Sequence, residues 1–92
     1  MARNRFEQVD EVQTDAITLG LWRRDDDPCG TVTLPARANG PSQTDAMISD
    51  PLPAKDAFRA AIHLANEVKL AVVVVDPDAL WQSEWGDLFR AV

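Results

Sequence analysis

Leu70-Ala71-Val72-Val73-Val74-Val75 is the segment that most limits what this chain can become. The run is far short of the ~20 apolar residues that a membrane-spanning helix needs. Consecutive valines crowd one another at χ1 in a helix and fit a pleated strand well. Successive side chains of a strand point to opposite faces, so a strand that is apolar throughout has two faces to hide. The sequence therefore predicts a well-paired strand over 70–75, and the remaining residues have to supply two covers.

The first cover is a helix over 53–68. Pro53 suits its first turn, where the missing N–H is not needed. Ala54, Phe58, Ala61, Ile62, Ala65 and Val68 recur at helical spacing, with Lys55, Asp56, Arg59, His63, Asn66 and Glu67 on the other side. Three alanines on the packed face let the helix axis approach a sheet closely. Lys69 leaves almost no connector, so the helix folds back antiparallel onto the strand after it. The second cover is expected from Asp76–Val92. Asp76 can serve as N-cap and Pro77 as first helical residue. Trp81, Trp85, Leu88 and Phe89 then recur at helical spacing, although Gly86 weakens one continuous helix.

Ile17, Leu19 and Leu21 alternate with Thr18, Gly20 and Trp22, and a second alternating run follows at Thr31-Val32-Thr33-Leu34. Between them Arg23–Cys29 is rich in Asp and holds Pro28, which reads as the turn of a hairpin pairing Thr14–Arg23 with Gly30–Leu34. In residues 1–13 only Phe6, Val9 and Val12 are large and apolar. Their spacing suits a short helix, and a flexible arm that orders on docking fits equally well. Residues 36–52 read as a long loop. Ser42-Gln43-Thr44-Asp45 has the outline of a capping box, so 42–48 could form one or two helical turns with Met47 and Ile48 inward. The expected fold is a single α+β domain over 1–92 in ββαβα order. Its three-stranded, mainly antiparallel sheet carries helix 53–68 on one face, with a Trp-bearing helical tail.

Composition narrows the function classes. Ninety-two residues make one domain, and 46% apolar with 26% charged residues is ordinary for a folded one. The net charge of −6 is spread along the chain, and the longest basic run is Arg23-Arg24, which argues against nucleic acid. Cys29 is the lone cysteine, so neither an intrachain disulfide nor a cysteine-based zinc site is expected. Residues 1–15 lack the apolar core of a secretory signal. The expectation is a soluble cytoplasmic protein without membrane contact, cofactor or metal.

Val72-Val73-Val74-Val75-Asp76-Pro77-Asp78 resembles the first motif of the haloacid dehalogenase-like phosphotransferases. The resemblance implies that Asp76 would attack phosphorus and Asp78 would act as acid or base, with magnesium alongside. It covers about seven residues, a length at which motifs arise by chance. Leu80 stands where that motif has Thr or Val, and the residues after Asp78 do not supply the family's remaining groups in order. The preferred reading is that Asp76-Pro77 ends a strand and caps the next helix. A dinucleotide site and a Walker loop both need clustered glycines, and Gly20, Gly30, Gly40 and Gly86 are scattered singly. Asp25-Asp26-Asp27 lacks the ligand spacing of an EF-hand and reads as a solvated turn. His63, flanked by Arg59 and Glu67 four residues away on each side, reads as part of an exposed charged cluster.

Three tryptophans are many for so acidic a chain, and Trp supplies large contact area in cores and interfaces alike. Trp81 and Trp85 could seal the sheet, or Trp22, Trp81, Trp85, Leu88 and Phe89 could form an interaction patch. The balance is against an enzyme. The leading expectation is a non-enzymatic interaction or scaffold module that self-associates as a homodimer or takes a protein partner. The alternatives are a small metal-dependent phosphate-handling enzyme using Asp76 and Asp78, and a small-molecule sensor with its pocket between helix 53–68 and the tail.

Overall fold

The structure, a computed structural model, describes residues 5–35 and 47–90. They form one α+β domain of β1 (Arg5–Gln8), β2 (Ile17–Arg24), β3 (Asp27–Leu34), β4 (Met47–Ile48), β5 (Leu52–Pro53), α1 (Ala54–Val68), β6 (Val72–Val75) and β7 (Asp87–Phe89), with a 3-10 turn at Ser83–Trp85. The strands join in one sheet of order β4-β3-β2-β6-β1-β7, and β5 pairs with β3 on the same edge as β4. Every strand except β3 points the same way.

The hairpin forms as its alternation requires, with Thr18 opposite Thr33 and Arg24 opposite Asp27. Only Asp25 and Asp26 link the strands, at φ of 50° and 69°. A two-residue hairpin loop needs positive φ at both positions to match the strand twist, and Asp tolerates that region better than most residues. The turn expected over Arg23–Cys29 is therefore only Asp25-Asp26, and Asp27 already opens β3.

α1 runs almost as the apolar spacing predicts, with Pro53 as N-cap and Ala54, Ala57 and Ala61 buried. It lies mainly over β3 and β2. Gly30 makes this approach possible, because a Cβ there would sit 2.9 Å from the Cβ of Ala57. Lys69 ends the helix in the left-handed region, and its N–H donates to the Ala65 carbonyl at 2.9 Å. Ile17, Leu19, Leu21, Val32, Val72 and Val74 supply the sheet side of this core.

β6 is the central strand, flanked by β2 and β1 in parallel. Its second face is not covered by the C-terminal tail. Residues 9–16 return from the end of β1 across β6 to the start of β2, and the N–H of Gln13 donates to Oγ1 of Thr18 at 3.1 Å. Thr18 and Val73 are opposite each other on the side away from α1, and both are buried.

A handedness rule accounts for this arrangement. The crossovers β5-α1-β6 and β6-to-β7 both run toward the β7 edge on the α1 side. The β1-to-β2 crossover runs the opposite way along the sheet, so it keeps the same hand only by using the other face.

Several expectations are corrected. The sheet has seven strands in a mixed, mostly parallel arrangement, where three mainly antiparallel strands were expected. The ββαβα order fails at both ends. Residues 5–8 are a strand between β6 and β7, and the tail is a loop, a 3-10 turn and a strand where a helix was expected. Gly86, at φ 130°, lies outside any helical conformation and separates the turn from β7. The loop expected over 36–52 contains β4 and the first residue of β5, and Met47 and Ile48 are 58% and 68% exposed where an inward orientation was expected. Most of the helix expected over 42–48 lies outside the described residues. No helix among the described residues is long and apolar enough to cross a membrane.

Candidate functional site

Asp76 follows the central strand and is 5% exposed. One carboxylate oxygen accepts the N–H of Leu80 at 2.8 Å and the other the N–H of Trp81 at 2.9 Å. Gln8 donates from its side-chain amide to the Asp76 carbonyl at 3.1 Å, tying β1 to the same corner. Both oxygens thus hold the 76–81 loop, in which Ala79 takes a φ of 55°. A shallow cleft beside Asp76 is bordered by Gln8, Pro77, Ala79, Trp81 and Leu88. Asp78 is exposed and does not border it. Among the described residues, no three His, Cys, Asp or Glu side chains converge as metal ligands would.

The loop anchored by Asp76 delivers two tryptophans onto the α1 side of the sheet. Trp81 meets Phe6 and Phe58 at ring-centroid distances of 5.2 and 5.5 Å. Trp85 stacks on Phe58 at 4.9 Å with rings 7° from parallel and meets Trp81 edge-on at 5.2 Å. The Trp81 indole N–H donates to the Gly86 carbonyl at 3.0 Å, so its polar edge is satisfied. Leu88 lies on this side as well, opposite Phe6 across the β1–β7 pair. The structure thus brings together Trp81, Trp85 and Leu88.

Trp22 and Phe89 lie on the other side. Leu21 touches the Gly30 position under α1, so alternation turns Trp22 away from the helix. Phe89 pairs with Glu7, and the guanidinium of Arg5 sits 4.5 Å from its ring centroid. Around the 9–16 crossover this side also carries Ile48, opposite Thr33, and Val12, which is 54% exposed.

A cleft of about 560 Å³ opens at the first turn of α1. The hairpin contributes Arg24, Asp27 and Pro28, the edge strand Leu52 and Pro53, the helix Lys55, and the tail Glu84 and Trp85. Its walls are mainly apolar, and its volume falls within the range of small-molecule sites. Sequence reading expected a pocket between helix 53–68 and the tail but did not bring the hairpin to it, because residues 24–29, 51–55 and 82–85 are distant along the chain. The one local signal was Pro51-Leu52-Pro53, an apolar stretch too stiff to be ordinary loop.

His63 lies on the exposed side of α1, where Nε2 meets the Glu67 carboxylate at 2.9 Å. Cys29 is a half-buried free thiol beside the cleft. The chain matches no protein-family model, no curated protein and no solved structure.

Proposed function

We propose that this chain is a non-enzymatic interaction module that self-associates through the sheet face opposite α1. The observation that carries this reading is the thinness of that face's cover. Among the described residues one crossover without helix or strand lies over it, while Val12 and Ile48 are more than half exposed and Trp22, Val75 and Phe89 are half-buried. Apolar side chains gathered on one surface favour a second protein surface over water. Joining sheets edge to edge has less support. One edge is broken into two-residue strands ending at Pro53, and the other is the three-residue β7. Tail-to-tail packing has less support too, since Trp81 and Trp85 already pack with Phe6 and Phe58.

Sedimentation over a micromolar to millimolar range tests the proposal. A monomer–dimer equilibrium is expected, shifted to monomer by Ile48→Glu, a substitution that leaves the core untouched. A clean monomer at every concentration removes the dimer, and a dimer indifferent to Ile48→Glu removes this face.

A second reading, small-molecule binding or sensing, is favoured by the cleft at the start of α1. The phosphate-handling reading has less support, because both Asp76 oxygens accept backbone N–H groups. Its check is a thermal shift with magnesium, manganese and a phosphate analogue, where a ligand at 100 times its Kd adds about 2.7 kcal/mol.

A further inference from the structure

We propose that the cleft at the first turn of α1 takes a small zwitterion with a flat apolar body, the chemical class of an aromatic α-amino acid. This deepens the small-molecule reading above, on which it rests, and is independent of self-association.

The walls set the body of the ligand. Leu52 and Trp85 are half-buried, and Trp85 is held by its stack on Phe58, so it is a fixed aromatic wall needing little ordering on binding. Pro53 has no N–H to donate, so the edge strand contributes mainly contact area there. A planar apolar group suits such walls. Ionic recognition has to come from the rim.

The rim sets the ends of the ligand. Arg24 and Lys55 supply two positive charges, and Asp27 and Glu84 two negative ones. Among the described residues none of these four is ion-paired; the pairs present are His63–Glu67 and Arg90–Asp10. A rim of zero net charge gives little advantage to a purely anionic or purely cationic ligand. A molecule carrying both charges can use both halves.

The carboxylate belongs at Lys55. This residue lines the cleft from the first turn of α1, where Pro53 provides no side-chain cap, the backbone N–H groups favour negative charge, and the one acid of the turn, Asp56, does not line the cleft. The ammonium group then belongs near Glu84 and Asp27, and the ring near Trp85. A multiply charged phosphate is disfavoured by the same two carboxylates.

Three probes of similar shape and different charge test this: L-phenylalanine, 3-phenylpropionate and phenethylamine, titrated into the full chain and followed by amide and indole NMR shifts. Saturable shifts at Lys55, Glu84 and the Trp85 indole are expected with L-phenylalanine. Binding roughly two- to fivefold weaker is expected for each singly charged probe, the scale of losing one exposed ion pair. Lys55→Met should remove the advantage of L-phenylalanine over phenethylamine, and Glu84→Gln its advantage over 3-phenylpropionate. Both residues are exposed, so neither change should disturb folding. Equal binding of all three probes keeps a pocket but overturns the zwitterion assignment. No saturable shift with any probe overturns the small-molecule reading together with it.

Discussion

Ala57 stands directly over Gly30: a methyl group added to the glycine would lie 2.9 Å from the alanine Cβ, 3.0 Å from the Gly20 carbonyl oxygen and 3.1 Å from Leu21 Cδ2. Two of these neighbours are backbone or a short side chain and cannot swing aside. Gly30→Ala is therefore expected to lower stability by about 1–3 kcal/mol through overpacking. Urea denaturation measures the loss. Adding Ala57→Gly should recover part of it, less the roughly 1 kcal/mol that glycine costs inside a helix. No coupling between the two substitutions would show that the helix can shift.

Asp76→Asn probes the corner where the central strand ends. An amide has one acceptor oxygen, so its NH2 would face a backbone N–H that Asp76 now satisfies. Hydrogen bonds to a charged group contribute about 1.5–3 kcal/mol each, and an unmatched buried donor adds its own penalty. A loss of roughly 2–4 kcal/mol is expected, together with altered Trp81 fluorescence. Undiminished thermal stability would count against an anchoring role.

Phe58, like Trp81, meets every other ring of the aromatic cluster: Phe6, Trp81 and Trp85. Phe58→Ala should cost about 2–4 kcal/mol, below the range for fully buried rings because the side chain is half-buried. Near-ultraviolet circular dichroism should weaken as the two indoles lose their fixed partner. His63→Ala, on the exposed side of the same helix, is the control and should stay within ~0.5 kcal/mol of the parent.

Lys69 takes φ 61° and ψ 42° to close α1, a conformation better suited to glycine. The left-handed backbone costs a lysine roughly 1–2 kcal/mol, while glycine adds about 0.4–1 kcal/mol of unfolded-state entropy. Lys69→Gly is thus expected to raise stability by about 0.5–1 kcal/mol, a few degrees in Tm. A lower melting temperature would mean that the lysine stem contributes packing that outweighs its strain.

The hairpin, α1 and the valine strand were legible because each carries its own periodicity within one short stretch. β1 and β7 were not. Each is three or four residues long and is defined by partners at the far end of the chain. Trp81, Trp85, Leu88 and Phe89 share a spacing with helices, but Trp81 and Trp85 meet because Asp76 bends the loop, and Phe89 turns to the opposite face. The capping idea for Asp76 was half legible: the carboxylate does accept downstream N–H groups, four and five residues on, without a helix beyond it. The second shield for the valines could be inferred from need. That it would come from residues 9–16 is clear only once β1 is known to lie beyond β6.

Strand β1 has a consequence for how the molecule is made. Arg5 is registered with Asp87, and Glu7 with both Val73 and Phe89, so β1 has no sheet neighbour until the residues of β6 and β7 have been made. The hairpin and α1 can assemble while the ribosome is still working. Strand β1 must wait, then slot between two strands made long after it.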